Sequence, residues 1–388
     1  MQTLSGDDFL RCVVMRGGTS RGVFFHERDL PRDQGHRDRT ILAALGAPDP
    51  RQVDGLGGGD LLLSKAAIVK PSASSDADVE CTFANVAPGK DLPTYGTNCG
   101  NLVSAVAVFA IDEGLVDPQR GGSLVRIHNR NSGIFIDANV QPVTEEMRNP
   151  CELAGMPTTG FCVEMDFIDP VGTTQSRLLP TGGSRDTIRL KNGRLVDATI
   201  VDAGALYVFV RAEDVGLSGT ETSAEIQSRP GVLEDLEYVR GAAAKLLGLV
   251  DAPEEAIRLT PDVPKLAFVG PPTDYRLGGS PAIVDAGSID LVSRIVSSQQ
   301  YHRAYAVTAA IATAAAAMVQ GSTVQVATGM EAGSGMRRVR IGHPSGVIEC
   351  GVECSSGEKM PVILRSRITR TARRIMEGRI FVPNGGSE

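Results

Sequence analysis

Two residues carry groups suited to moving a proton. Cys99 sits in "NCGN" (98–101), ahead of a run from 102 to 111 whose only polar residue is Ser104. Such a run reads as a helix surrounded by protein, and Asn98 is a good residue to begin one. A helix start offers unpaired N–H groups and a positive dipole end, so a thiol there is expected to ionise readily and take part in proton transfer. The alternative is a structural cysteine on a buried helix. Gly100 in the first turn costs helix stability unless something approaches the backbone closely. Lys65 lies in "SKAAIV" (64–69), on a strand otherwise apolar. Partial desolvation would favour its neutral, basic amine; the alternative is a strand-end lysine reaching to water. Together the two suit removal of a proton next to a carbonyl or a double bond.

Around them the sequence offers groups for holding a carboxylate. "MRGGTSRG" (15–22) supplies the N–H groups of Gly17 and Gly18, the hydroxyls of Thr19 and Ser20, and Arg16 or Arg21. Asn98, Gly100 and Asn101 add the helix start. "DGLGGGD" (54–60) is a second glycine-rich turn leading into the Lys65 strand, or a mobile surface loop. In "GHPSG" (342–346), His343 with Ser345 and Gly346 could bind a substrate carboxylate, or His343 could cap its turn. His26, His36, His128 and His302 have no such context. There is no H-E-x-x-H, no Cys/His cluster at metal-ligand spacing and no G-x-x-x-x-G-K-[ST], so neither a metal nor a nucleotide cofactor is expected.

The elements that must position these residues occur twice, about 200 residues apart. "SKAAIV" (64–69) matches "PKLAFV" (264–269), and "RGGTSRGVFF" (16–25) has an echo in "DAGALYVFV" (202–210). "NCGNLVSAVAVFA" (98–110) corresponds to "VTAAIATAAAAM" (307–318), which sets Thr308 opposite Cys99. "VRIHNRNSGIFI" (125–136) corresponds to "VRIGHPSGVIE" (339–349). Each half reads as strands, one apolar helix, then more strands. A helix that is apolar all round needs cover on every side, and a strongly curved sheet supplies it. The expected fold is therefore α+β, with two pseudo-symmetric domains at 1–184 and 185–388 and a linker within 178–195. The two helix starts would converge at their interface. The segment 365–383 reads as a basic helix followed by a strand that could return to the first domain.

At 388 residues, about two domains are expected. A formal charge of −7 argues against nucleic acid or an anionic membrane as partner. No segment approaches the roughly 20 apolar residues of a membrane span, and the start "MQTLSGDDFL" lacks a signal-peptide pattern. A cytoplasmic protein is expected. The seven cysteines, at 12, 81, 99, 151, 162, 350 and 354, form no C-x-x-C pair and are expected to be reduced.

"RGGTSRG", "DGLGGGD", "SKAAIV", "NCGN" and "GHPSG", in this order and spacing, resemble the PrpF family of methylaconitate and oxalomesaconate isomerases, over nearly the whole chain. The resemblance implies a fold similar to diaminopimelate epimerase, with two curved-sheet domains and the active site between them. It implies cofactor-free proton transfer on unsaturated di- and tricarboxylates, with Lys65 and Cys99 at the positions of the implicated lysine and cysteine. Lys65 would remove an allylic proton, N–H groups near Gly17, Gly18 and residues 98–101 would stabilise the dienolate, and Lys65 or Cys99 would reprotonate the far carbon. Arg21 stands where family members often have lysine, and Ala66 and Ala67 vary among them. 2-Methylaconitate, 4-oxalomesaconate, aconitate and methylitaconate all fit the motifs. An amino-acid epimerase of the same fold is the alternative, disfavoured by Thr308 where a second cysteine would stand. A non-catalytic partner of an aconitase-like enzyme is another. A homodimer is compatible with the fold.

Overall fold

A computed structural model describes residues 9–96, 98–119, 122–141, 153–297, 300–357 and 360–382. The chain divides into two units, Met1–Asp166 with Thr369–Glu388, and Phe167–Ile368.

The first unit is a sheet bent around one helix. Its strands are β1 (Phe9–Gly17), β2 (Ser20–His26), β3 (Lys65–Pro71), β4 (Val79–Asn85), β5 (Ser123–Asn129) and β6 (Phe135–Val140). They pair in chain order, parallel at β2/β3 and β4/β5 and antiparallel at the other steps. Helix α1 (Gln34–Leu45) covers one face, packing Ile41, Ala44 and Leu45 on Leu10, Phe25, Ile68 and Ala84. Helix α2 (Gly100–Asp112) occupies the other and touches β1, β2, β3, β5 and β6, so the sheet curves round it. Every residue from Gly100 to Ala110 is buried. Each of Leu102, Val103, Val106 and Phe109 contributes about 1.5–3 kcal/mol by leaving water.

The second unit repeats this sequence of pairings. Strands β7 (Leu195–Ala203), β8 (Ala205–Arg211), β9 (Lys265–Gly270), β10 (Leu291–Ser297), β11 (Gly335–His343) and β12 (Gly346–Ser355) are parallel at β8/β9 and β10/β11 and antiparallel at the other steps. Helix α3 (Pro230–Leu246) packs on one face, and α4 (Val307–Ala317), buried along its whole length, is held by β7, β8, β11 and β12. Residues 178–195, expected as a linker, lie within this unit.

The helix expected after residue 365 is instead part of strand β13 (Val362–Phe381). Its first part pairs with β12 and its second with β1. Ile363, Ser366, Ile368, Arg370, Thr371 and Ala372 are buried, with every second residue buried from Ser366 to Ala372 as in a strand and Thr371 buried besides. Cys12, Cys81, Cys99, Cys350 and Cys354 are free and buried. Cys162 is disulfide-bonded, which corrects the expectation of a reduced thiol there; Cys151 lies outside the described residues. No helix among the described residues is long and apolar enough to cross a membrane.

Candidate active site

The turn between β1 and β2 rests directly on the start of α2. Gly17 pairs with Ser20, leaving Gly18 and Thr19 as a two-residue loop in which Gly18 has φ +52°, a conformation glycine adopts without strain. A Cβ on Gly17 would lie 2.6 Å from the Asn101 carbonyl oxygen, and one on Gly18 would lie 2.3 Å from Asn101 Oδ1. Glycine is required here because helix and turn touch backbone to backbone. Asn101 locks the contact: Nδ2 donates to Thr19 Oγ1 at 3.2 Å, and Oδ1 accepts from Arg370 Nε at 3.3 Å.

Arg16 is buried under the same turn. Its Nη1 donates to the Gly18 carbonyl at 3.0 Å and to Thr371 Oγ1 at 2.7 Å, and its Nη2 to the Thr159 carbonyl at 3.2 Å. These contacts tie the loop to β13. Arg21 Nη2 donates to the carbonyls of Leu56 and Gly57, both at 3.3 Å. The N–H groups of Leu56 and Gly57 in turn bond to carbonyls at the end of α1, so "DGLGGGD" is fixed to the fold.

Cys99 is the N-cap of α2 and buried, and its side chain makes no capping bond to the first turn. Beside it, Asn98 Oδ1 accepts from Asn129 Nδ2 at 2.5 Å, while Asn98 Nδ2 is buried with no hydrogen-bond acceptor among the described residues. Burial pushes the neighbouring Cys81 thiol far up, and Cys99 adds to that effect. Lys65 is the first residue of β3, half-buried, with Nζ donating to Oδ1 of its cross-strand partner Asn85 at 2.7 Å. Its backbone is close to the first turn of α2: a Cβ on Gly22 would be 3.2 Å from the Lys65 carbonyl and 2.9 Å from a Leu102 methyl.

In the second unit, Thr308 is the second residue of α4, and the N-cap is Ala306. Counted from the helix start, Ala306 stands where Cys99 does. Thr308 Oγ1 is buried 3.3 Å from Tyr207 Oη. His343, Ser345 and Gly346 form the turn between β11 and β12. His343 is buried and its Nδ1 accepts from the Ser345 N–H at 3.2 Å, so the ring caps its own turn. Ser345 Oγ donates to the Arg303 carbonyl, and Tyr275 donates to the carbonyls of His343 and Gly346 at 2.8 and 2.6 Å.

Sequence reasoning did not find Asn85, Asn129, Asn131 or Thr371. The two asparagines of "HNRNSG" (128–133) were a signal for part of this set, because asparagine favours turns through bonds to nearby backbone.

Comparison with known proteins gives the family. The profile of the PrpF protein family matches residues 9–383, and the chain belongs to that family. It is 39% identical to the 3-methylitaconate isomerase of Eubacterium barkeri, with 96% of each chain covered. It is 35% identical to a 2-methyl-aconitate isomerase of Shewanella oneidensis, again over 96% of each. It is 32% identical to the 4-oxalomesaconate tautomerase of Pseudomonas putida, over 97% of each. A crystal structure of methylitaconate-delta-isomerase superposes with a TM-score of 0.79 at 38% identity, covering 96% of this chain and 95% of that one. A probable proline racemase from Agrobacterium radiobacter shares the fold at TM-score 0.53 and 12% identity, covering 97% and 94%. The protein is an isomerase, which sets aside the non-catalytic reading.

Proposed function

We propose that the protein isomerises a small unsaturated di- or tricarboxylate by proton transfer, without a metal or organic cofactor. Lys65 Nζ takes an allylic proton, and the C–H electrons spread over the double bond and the adjacent carboxylate as a dienolate. A proton then returns to the far carbon from the Lys65 ammonium or the Cys99 thiol, moving the double bond or exchanging its geometry. An amine at Lys65 can keep one N–H on Asn85 Oδ1, which restricts where its lone pair points. The start of α2, with the N–H groups of Gly100 and Asn101 and the Asn98 amide, receives a carboxylate or the negative charge that develops. Gly17, Gly18, Thr19 and Ser20 shape the wall beside it, and Arg16 holds that wall in place.

The observation that carries this reading is the uncapped start of α2 with a buried, unsatisfied Asn98 Nδ2 at the N-cap cysteine, in the unit that holds Lys65. Buried polar groups are almost always paired, and an orphan donor at a positive helix end suits an anion. The four acids named by the resemblance are the substrates to try, methylitaconate first, since the E. barkeri relative shares the highest identity of the three. We further propose that the two units are pseudo-symmetric repeats, on the strength of their common order of parallel and antiparallel pairings. An amino-acid epimerase with one thiol per repeat is disfavoured by Ala306 and Thr308 at the second helix start.

The test is incubation of EDTA-dialysed protein with methylitaconate, 2-methylaconitate, cis-aconitate and 4-oxalomesaconate, followed by proton NMR. Isomerisation of at least one acid, at an undiminished rate, is expected. Turnover of none, or loss of turnover restored by a divalent ion, overturns the proposal.

A further inference from the structure

We infer that Asn129 is a positioning residue that fixes which end of the Asn98 amide faces substrate, and so commits that corner of the site to a hydrogen-bond acceptor such as a carboxylate oxygen. Hydrogen-bond direction decides the matter. The backbone N–H of Asn131 bonds to the side chain of Asn129 at 2.9 Å. A backbone N–H can only donate, so the atom it meets is the carbonyl oxygen of Asn129. The other end of that amide is its NH₂, and this lies 2.5 Å from Asn98. An NH₂ needs an acceptor, so Asn98 turns its carbonyl oxygen inward. What Asn98 has left is Nδ2, a donor, buried and with no acceptor among the described residues.

The origin of this relay is itself held still. Asn131 Oδ1 accepts from the Phe83 N–H at 2.8 Å, and its Nδ2 donates to the carbonyls of Phe83 and Tyr95 at 2.8 and 2.7 Å. Asn129 is fully buried. A surface asparagine can offer either end of its amide to a ligand. Here the polarity of one backbone N–H passes through two amides, and only a donor remains. This rests on the reading that the α2 start receives a carboxylate.

Asn129→Asp tests it, because aspartate keeps the shape and still accepts from the Asn131 N–H. Its second oxygen also accepts, so Asn98 must turn its NH₂ inward and offer a carbonyl oxygen to the ligand. The probe is tricarballylate, a saturated tricarboxylate with no double bond to move, titrated calorimetrically into folded protein. Near neutral pH, Asn129→Asp is expected to bind roughly ten- to hundredfold more weakly than wild type, the range of a hydrogen bond to a charged group. Asn129→Ala should lose less, since a freed amide can still turn. The double variant Asn98→Ala/Asn129→Asp should bind like Asn98→Ala alone, because the second residue acts through the first. Acidification should narrow the gap between Asn129→Asp and wild type, since the introduced carboxyl, once protonated, can again donate to Asn98 Oδ1.

Binding by Asn129→Asp within about twofold of wild type, or losses that add in the double variant, overturns the inference. If the aspartate variant does not fold, Asn129→Ala with and without Asn98→Ala decides by the same criterion of additivity. Wild-type protein that turns over none of the four acids and does not bind tricarballylate refutes the proposed function and takes this inference with it.

Discussion

Lys65 and Cys99 differ in how the fold holds them, and that difference separates their variants. Lys65 Nζ is tethered to Asn85 at the mouth of β3, whereas Cys99 occupies a cap position without a side-chain bond to the first turn. Cys99→Ser keeps a small hydrogen-bonding group at the helix start, and in the proposed mechanism the proton taken by Lys65 can return from its own ammonium. Steady-state kinetics should therefore show a smaller loss of kcat for Cys99→Ser than for Lys65→Ala; an equal or larger loss would make the thiol the main acid. At this scale the sequence was partly legible. Residue type and an apolar neighbourhood were enough to set Lys65 on a strand and Cys99 at the start of a buried helix, where the structure has them. The partners of Arg16 were not legible, because it meets acceptors that only the folded chain brings up, whereas turn capping by His343 was one of the two readings its sequence context offered. Arg16 reaches Thr371, 355 positions away, and no local pattern carries that contact.

Both ends of α2 are built to different charge rules. The N-terminal end is left uncapped among glycines, and Gly17→Ala would drive a Cβ into the Asn101 carbonyl. Something must shift, and the helix start would shift with it. Activity should fall at least about tenfold, while the melting temperature drops by the few degrees that about 1–3 kcal/mol of overpacking implies. An alanine variant with wild-type kcat/KM would show that the turn does not shape the site.

At the C-terminal end, Glu113 is a carboxylate where the helix dipole disfavours one. Arg11 Nη1, His26 Nε2 and Arg374 Nη2 gather on it at 2.8, 2.9 and 2.7 Å. Burial alone would raise its pKa, but the bonds from His26, Arg374 and Arg11 outweigh that and hold it at about 2. A depressed folded-state pKa stabilises the fold above the ordinary value of 4.5, and the gain is lost as pH falls toward about 2. Glu113→Gln should cost about 1–3 kcal/mol at neutral pH, with the gap to wild type closing between about pH 4.5 and 2 in thermal or urea unfolding. A pH-independent gap would contradict the charge account. The same cluster anchors β13, the element least legible in the sequence. Its arginines fall at helix-like spacings, yet the buried alternation and two flanking strands prevail over them, because tertiary pairing outweighs local propensity.

On the scale of the whole molecule, the weak internal matches fall on elements of like kind, because strands and buried helices demand the same residue classes wherever they recur. β3 and β9 both begin on lysine, and α2 from Gly100 to Ala110 and α4 along its length are both buried. The alignment of Thr308 with Cys99 shows the limit of such matching, since a continuous apolar run has no punctuation to fix its register and the helix starts are offset by two residues. The family places the protein among isomerases, and the central claim is that its chemistry is proton transfer by Lys65. The most direct measurement is the kcat of Lys65→Ala on whichever of the four acids the wild type isomerises, with folding checked by its melting temperature. A general base contributes about 10²–10⁴-fold, so kcat should fall at least about a hundredfold while KM changes much less, because the groups proposed to hold the carboxylates are untouched. A folded Lys65→Ala variant with near-wild-type kcat would contradict the account and return Lys65 to the role of a strand-end lysine.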